Sequence, residues 1–291
     1  MAGGEHDGIL GEEFFRPGNS SFSAFLKAHR PEARSAPRPP DRILQLSQLP
    51  QLPQLPQLPH GTTVLALTYR DGVLIAGDRR ATMGNLIAQR DLEKVQPTDD
   101  YTAVAFAGTV GTAKDMVKLF QVELTHFEKM EGIPMTLNAK ANRLAGLVRD
   151  NLDQAMRGFA VVPLLVGYDA TAPGGGRGRI FAFDITGGPY EKPDFTAEGS
   201  GSPYAGGALK KLYRQDMTRR EAALAALQAL YDAADDDAAT GGPDLTRRIY
   251  PVVAVITEDG FERLPEAETE ALSREVVAAR HDRPDGPIAA V

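Results

Sequence analysis

The residues best placed to do chemistry lie where the chain changes character. At Gly61-Thr62-Thr63 a proline-rich segment gives way to dense apolar sequence running from Thr63 to Tyr69, then a turn pair Asp71-Gly72, then a second apolar run ending at Gly77-Asp78. A cut before Thr62 would make it a new N-terminus, and an N-terminal threonine carries nucleophile and base together. Its hydroxyl attacks a carbonyl while its own α-amine takes the proton. While the Gly61–Thr62 bond is intact that nitrogen is an amide and no base, so the uncut chain is expected to be inactive. The hydroxyl can still attack the Gly61 carbonyl and give an ester that water hydrolyses, and Gly61 has no side chain to obstruct that approach. The freed α-amine titrates close to neutral pH, as an efficient general base must.

Other chemistries find little support. Cysteine is absent, which removes disulfides, thiolate metal sites and cysteine nucleophiles together. Of five histidines, His6, His29, His60 and His281 fall in or near segments expected to be flexible, and only His126 sits in a helical pattern, so a histidine triad or metal cluster is not expected. Gly108-Thr-Val-Gly111-Thr-Ala-Lys114-Asp115 has the wrong spacing for a phosphate loop and an aspartate where the hydroxyl belongs. Gly199-Ser200-Gly201 is not a nucleophile elbow. The net charge of −7 comes from acidic and basic residues mixed along the chain, which leaves no basic stripe for nucleic acid. No run approaches the ~20 apolar residues of a membrane span, and the first residues lack a secretory signal. A cytoplasmic protein without cofactor or metal is the expectation.

The elements that must position Thr62 follow from composition and period. Residues 1–61 read as a leader: eight of the 21 prolines lie between Pro31 and Pro59, and the Gln-Leu-Pro repeat before His60 favours an extended spacer. Phe14, Phe15, Phe22, Phe25 and Leu26 form an aromatic cluster within it, either part of a disordered tail or a patch that docks during assembly. The remaining chain of about 230 residues suits one large domain, 62–281, followed by a flexible tail, 282–291. Strands are expected at 62–69, 73–77, 93–96, 101–107, 161–168, 179–184 and 250–257, with Asp71-Gly72 as a primed hairpin turn. Gly174-Gly175-Gly176-Arg177-Gly178 reads as a hairpin loop.

Val117, Phe120, Leu124 and Phe127 mark one helix, and Leu137, Ala141, Leu144, Val148, Leu152 and Ala155 a second starting near Thr136. A third helix is expected around 204–214. A fourth opens on the capping box Thr218-Arg-Arg-Glu221, and a last one covers 266–279 before a frayed end. Hairpins first and helices in pairs argue for an α+β fold: two antiparallel sheets face to face between helix pairs, a four-layer αββα sandwich.

Gly61-Thr62-Thr63, Gly77-Asp78-Arg79-Arg80-Ala81-Thr82, Lys94, Ala107-Gly108-Thr109, Gly199-Ser200-Gly201-Ser202 and Asp237-Ala-Ala-Thr240-Gly241-Gly242 together resemble a proteasome β subunit of the actinobacterial type. The likeness runs from about residue 60 to 257. It implies the N-terminal-nucleophile hydrolase fold and a threonine endopeptidase matured by its own cut between Gly61 and Thr62. It implies that the Lys94 ammonium, held by Asp78, lies beside the nucleophile, where a cation favours the neutral amine and stabilises charge on the threonine oxygen. Gly108, between a strand end and a helix start, is the expected oxyanion donor.

Ser200, Asp237 and Thr240 match the positions that hold the α-amine and a water, with threonine at 240 where serine is common in the family. Ala81, Leu92, Phe106 and Val110 match the specificity pocket, and their apolar character favours cleavage after apolar residues. Core packing explains the same side chains. The resemblance further implies seven-membered β rings stacked between rings of α subunits, fed with unfolded protein by a ring-shaped ATPase. An inactive structural β-type subunit and a small-molecule amidase of the same fold are the alternatives. The apolar helix pair Val117–Phe127 and Leu144–Ala155 is expected to offer a ring contact.

Overall fold

The computed structural model describes residues 61–172 and 176–287. The chain leaves Thr62 into a hairpin of β1 (Thr63–Tyr69) and β2 (Gly72–Gly77) at the middle of an antiparallel sheet. β10 (Phe195–Gly199) pairs with the outer edge of β1, while β11 (Val252–Thr257) and then β12 (Gly260–Arg263) continue beyond β2. A second antiparallel sheet runs in the order β5 (Val95–Asp99), β6 (Thr102–Gly108), β7 (Val161–Asp169), β8 (Arg177–Phe183) and β9 (Pro189–Lys192). Between β2 and β5 the chain makes a small separate hairpin of β3 (Ala81–Met83) and β4 (Leu86–Gln89).

Side-chain alternation along β1 explains the layering. Val64 and Ala66 point toward the second sheet and pack with Ile75, Ala105, Leu164 and Ile180. Leu65 and Leu67 point the other way, onto α4 (Ser202–Leu212), α5 (Arg219–Asp236) and α6 (Glu266–Asp282). The outer face of the second sheet packs through Val104, Phe106 and Leu165 onto α1 (Val110–Glu131) and α2 (Leu137–Asp150). Both faces of each sheet are therefore dry, which is why β1 and β2 read as nearly continuous apolar sequence. Each fully buried Leu, Ile or Phe stabilises the fold by about 1.5–3 kcal/mol relative to exposure. Three apolar interiors between four layers make this the αββα sandwich expected from the order of elements.

The structure corrects several local readings. The β1–β2 hairpin forms, with Tyr69 opposite Gly72, but its turn is not a primed one. Among the described residues only Arg248 combines a side chain with positive φ, so Arg70 and Asp71 keep ordinary backbone. Gly72 is needed for a different reason: a Cβ there would lie 2.1 Å from the Ile256 carbonyl oxygen.

The second long helix stops at Asp150, and the chain resumes as the single turn α3 (Leu152–Met156), so Leu152 and Ala155 belong to another element. The apolar faces of α1 and α2 are no free surface, because Val117, Phe120, Leu124, Leu144 and Val148 are buried against the chain's own second sheet. The exposed apolar residues of α1 are instead Leu119, Val122 and Met130. The closing helix runs three residues past the expected end, and Arg280 anchors it by bonding Asp232 and the Pro284 carbonyl. The capping box at Thr218 and Glu221 is present as expected. β3, β4, β9, β10 and β12 were not foreseen. The leader, including its aromatic cluster and Gln-Leu-Pro repeat, lies outside the described residues except for Gly61, as do Gly174 and Gly175 of the expected hairpin loop, whose Arg177 and Gly178 belong instead to β8.

Candidate active site

Thr62 sits at the mouth of β1, only 3% exposed. Its carbonyl accepts the Ser200 N–H at 3.0 Å, which ties the end of β10 to the start of β1. Gly199, with φ of 102°, makes that approach possible: a Cβ there would meet the Thr62 carbonyl oxygen at 1.9 Å. With the Gly61–Thr62 bond intact, the Thr62 hydroxyl donates to the Gly61 carbonyl oxygen at 2.6 Å. The hydroxyl of this candidate nucleophile thus already lies against the carbonyl group it would attack. Gly61 is enclosed as well, since a Cβ on it would fall 2.2 Å from the Ala239 Cβ and 2.6 Å from the Thr82 hydroxyl.

Asp78 follows β2 and is fully buried with Lys94. Its Oδ1 accepts the Lys94 ammonium at 2.5 Å and the Thr63 N–H at 2.8 Å. Its Oδ2 accepts the Arg80 and Gly241 N–H groups, both at 2.9 Å. A buried carboxylate is expensive unless its lone pairs are filled, and here four donors fill them. Burial pushes the Lys94 ammonium below the ordinary lysine value, with the Asp78 carboxylate opposing that shift and Arg80 adding to it. A lysine so placed gives up its proton more readily than one in water, while the ion pair fixes its position.

On the other side of Thr62 lies a hydroxyl–carboxylate cluster. The Thr62 N–H points at the Ser200 hydroxyl at 3.4 Å. Ser200 and Thr240 both donate to Asp237 Oδ2, at 2.5 and 2.6 Å. Asp237 caps the C-terminus of α5 and its Oδ1 takes the Ala239 N–H at 3.1 Å, which closes a tight turn toward Thr240. Thr62, Ser200, Asp237 and Thr240 are therefore brought together from β1, the β10–α4 junction and the loop after α5.

Gly108 ends β6 with φ of 110°, one residue before Thr109 opens α1. A Cβ at Gly108 would strike the Ala160 carbonyl oxygen at 2.1 Å, so glycine is required for the backbone path. Ala107 lies beside Gly199, whose missing Cβ would sit 3.3 Å from it, and this places the end of β6 near Thr62. The first turn of α1 carries no acidic residue. Of the pocket candidates, Ala81 and Leu92 are buried and Val110 is half-buried. Phe106 faces the helix layer and packs among the second sheet, α1 and α2, so it contributes core packing.

Several contributors escaped the sequence reading. Thr63 donates its backbone N–H to Asp78 and places its hydroxyl 2.6 Å from that of Thr240. Arg80 bonds the Ala238 carbonyl at 2.9 Å as well as Asp78, bridging the two loops. Gly241 supplies a backbone N–H to Asp78. A polar residue directly after the candidate nucleophile was the one available signal for Thr63, and it says nothing about a partner 177 residues away. Among the described residues no cluster of His, Asp or Glu could hold a metal ion, and no helix is long and apolar enough to cross a membrane.

Comparison with known proteins shows the family. Residues 58–244 match the sequence model of the proteasome subunit family. The chain is 72% identical to proteasome subunit beta 1 of Streptomyces avermitilis, with both proteins covered over their whole length. It is 54% identical to proteasome subunit beta 2 of Thermomonospora curvata, over 96% of each chain. It is 52% identical to proteasome subunit beta of Acidothermus cellulolyticus, over 97% of this chain and 94% of the relative. Sandwich fold, buried Thr62 and sequence similarity converge on one conclusion: the chain belongs to the proteasome subunit family, as a β subunit of the bacterial type.

Proposed function

We propose that this β subunit is catalytic, a threonine endopeptidase that cuts itself free of residues 1–61 and then degrades unfolded protein inside a closed chamber. The observation that carries the reading is the Thr62 hydroxyl held on the Gly61 carbonyl, with the neighbouring nitrogen aimed at Ser200. In maturation, Thr62 Oγ attacks the Gly61 carbonyl carbon. The amide bond breaks, an ester forms on Oγ, and the hydroxyl proton ends on the released α-amine. Water then cleaves the ester, leaving a carboxylate on Gly61 and a free hydroxyl on Thr62.

In peptide hydrolysis the α-amine accepts the hydroxyl proton as Oγ attacks the scissile carbonyl. The oxyanion is stabilised by the Gly108 N–H at the head of α1, where aligned peptide dipoles add to the effect. The proton passes to the leaving amine, and water releases the acyl group. Lys94, fixed by Asp78, supplies positive potential beside the reacting oxygen. Ser200, Asp237 and Thr240 hold the amine and the hydrolytic water. Ala81, Leu92 and Val110 give the substrate side an apolar wall, and this favours cleavage after apolar residues.

The subunit works in seven-membered β rings between α-subunit rings, served by a ring-shaped ATPase in the cytoplasm. Leu119, Val122 and Met130, left uncovered on α1, are the face best suited to a neighbouring subunit. The deciding experiment is intact mass and N-terminal sequencing of the core assembled with its α partner, together with peptide hydrolysis. The expected result is an N-terminus at Thr62 and active particles, both lost in Thr62→Ala. An assembled wild-type core that stays full length would remove the mechanism.

A further inference from the structure

Resting on that reading, we infer that the hydroxyl of Thr63 is a positioning residue for the catalytic amine, acting through Thr240. The hydrogen-bond directions follow from the inventory of protons. A hydroxyl has one proton to give. Thr240 spends its proton on Asp237 Oδ2 at 2.6 Å, and a carboxylate only accepts. The 2.6 Å contact between Thr63 Oγ1 and Thr240 Oγ1 must then run from Thr63 to Thr240. Thr63 in turn accepts the Gly201 backbone N–H at 3.1 Å. The result is a one-way series from Gly201 through Thr63 and Thr240 to Asp237. Ser200 joins the same carboxylate oxygen at 2.5 Å.

This polarity has a consequence for the amine. With its proton committed to Asp237, Ser200 can present only lone pairs to the nitrogen of Thr62, and Thr240 fixes the same carboxylate oxygen that holds Ser200. Ser200 then accepts from its N–H, which turns the nitrogen's own lone pair away from Ser200 and toward the Thr62 hydroxyl, where a base is needed. The site is built tightly enough to hold this order. Thr63 and Thr240 are fully buried. Any side chain at Gly201 would strike Thr63 Oγ1 at 2.3 Å and Thr240 Oγ1 at 2.8 Å. Thr63 also connects the two halves of the site, since its backbone N–H binds Asp78 while its side chain serves Asp237 through Thr240. Without its hydroxyl, Gly201 N–H loses its buried acceptor and Thr240 is held from one side only.

The test compares Thr63→Val, which keeps the shape and removes the hydroxyl, with Thr63→Ser, which keeps the hydroxyl, in the fully assembled core. The charged groups around the site, Asp78, Arg80, Lys94 and Asp237, are the same in every variant. Thr63→Val is expected to lower kcat for peptide hydrolysis by about tenfold or more, with KM within about twofold. Loss of an ordered acceptor disfavours the protonated amine, so the acidic limb of the kcat/KM profile should move to lower pH by about half a unit. Thr63→Ser should restore kcat to within about threefold and restore the wild-type profile.

Because Thr63 acts through Thr240, the double variant Thr63→Val/Thr240→Val should be no slower than Thr240→Val alone. Multiplicative losses would overturn the inference, as would a Thr63→Val core with wild-type kcat and pH profile. Should Thr63→Val fail to assemble, Thr63→Ser decides, and a core slowed more than about tenfold despite its hydroxyl rejects the relay. If the wild-type core itself is uncut or inert, the threonine-nucleophile reading falls and the relay with it. An active wild type with an indifferent Thr63→Val removes the relay alone.

Discussion

Two opposing effects meet at Lys94, and both are visible in its surroundings. Burial penalises its ammonium, and Asp78 at 2.5 Å holds it charged and in place. Removing the cation does not leave Asp78 bare, because backbone N–H groups of Thr63, Arg80 and Gly241 still bind it. Breaking a buried pair commonly costs about 3–5 kcal/mol, and the three remaining donors place Lys94→Met toward the lower end. The chemical loss should be larger in proportion, about 10²–10³ in kcat, as for other groups that stabilise developing charge. Chemical denaturation of the subunit and peptide hydrolysis by the assembled core read the two effects separately. Uncut chain should also accumulate, since the proposed maturation uses the same oxygen. A Lys94→Met core of wild-type activity would take this residue out of the mechanism.

Edge strands show what local sequence leaves unsaid. β10, Phe-Thr-Ala-Glu-Gly, has a glutamate and a terminal glycine and no continuous apolar run, yet it completes the first sheet and delivers Gly199 and Ser200 to Thr62. Half-buried edges carry a weaker pattern than central strands, which is also why β3, β4, β9 and β12 were missed while β1, β2, β6, β7 and β11 were read closely. β10 bears a measurable mark of its position. Burial holds the Glu198 carboxyl above the usual glutamate range, with Lys192 pulling the other way. The folded chain therefore binds this proton more tightly than the unfolded chain does. The carboxylate costs stability as pH rises from the ordinary glutamate range through the raised folded value, and the cost is complete above it. Glu198→Gln should raise Tm at about pH 8 and give no gain near pH 4, where both side chains are neutral. Thermal unfolding at the two pH values checks the sign, and an equal gain at both would discard this cause.

At the scale of the whole molecule, the two faces of α1 have different duties. Val117, Phe120 and Leu124 close the interior, whereas Leu119, Val122 and Met130 stay 47%, 58% and 69% exposed on a helix whose other outward residues are largely polar. The period alone identified an apolar helix face but not which apolar residues the chain's own sheet would cover. Val122→Glu should leave Tm of the isolated subunit within about 2 °C, as a surface change of about 0.5 kcal/mol or less. It should lower the fraction of chains entering the core particle when mixed with α subunits, read by sedimentation or native mass. Full assembly would show that this face meets no neighbour.

What the sequence determined by itself was the class of fold, and with it the chemistry proposed for Thr62. A glycine–threonine junction at the start of an apolar strand points to a nucleophile with a built-in base, and strands dry on both faces between helix pairs point to a layered sandwich. Both are local signals, carried by residue type and short-range period. The tertiary structure decided the connections. It showed that Asp78 carries four donors, that the turn after β1 is not primed, that Phe106 serves the core, and that Thr63 meets Thr240 across 177 residues of chain. The reason is physical: a hydrogen bond depends on tenths of an ångström and on which proton is already spent, and neither quantity exists until the sheets have packed.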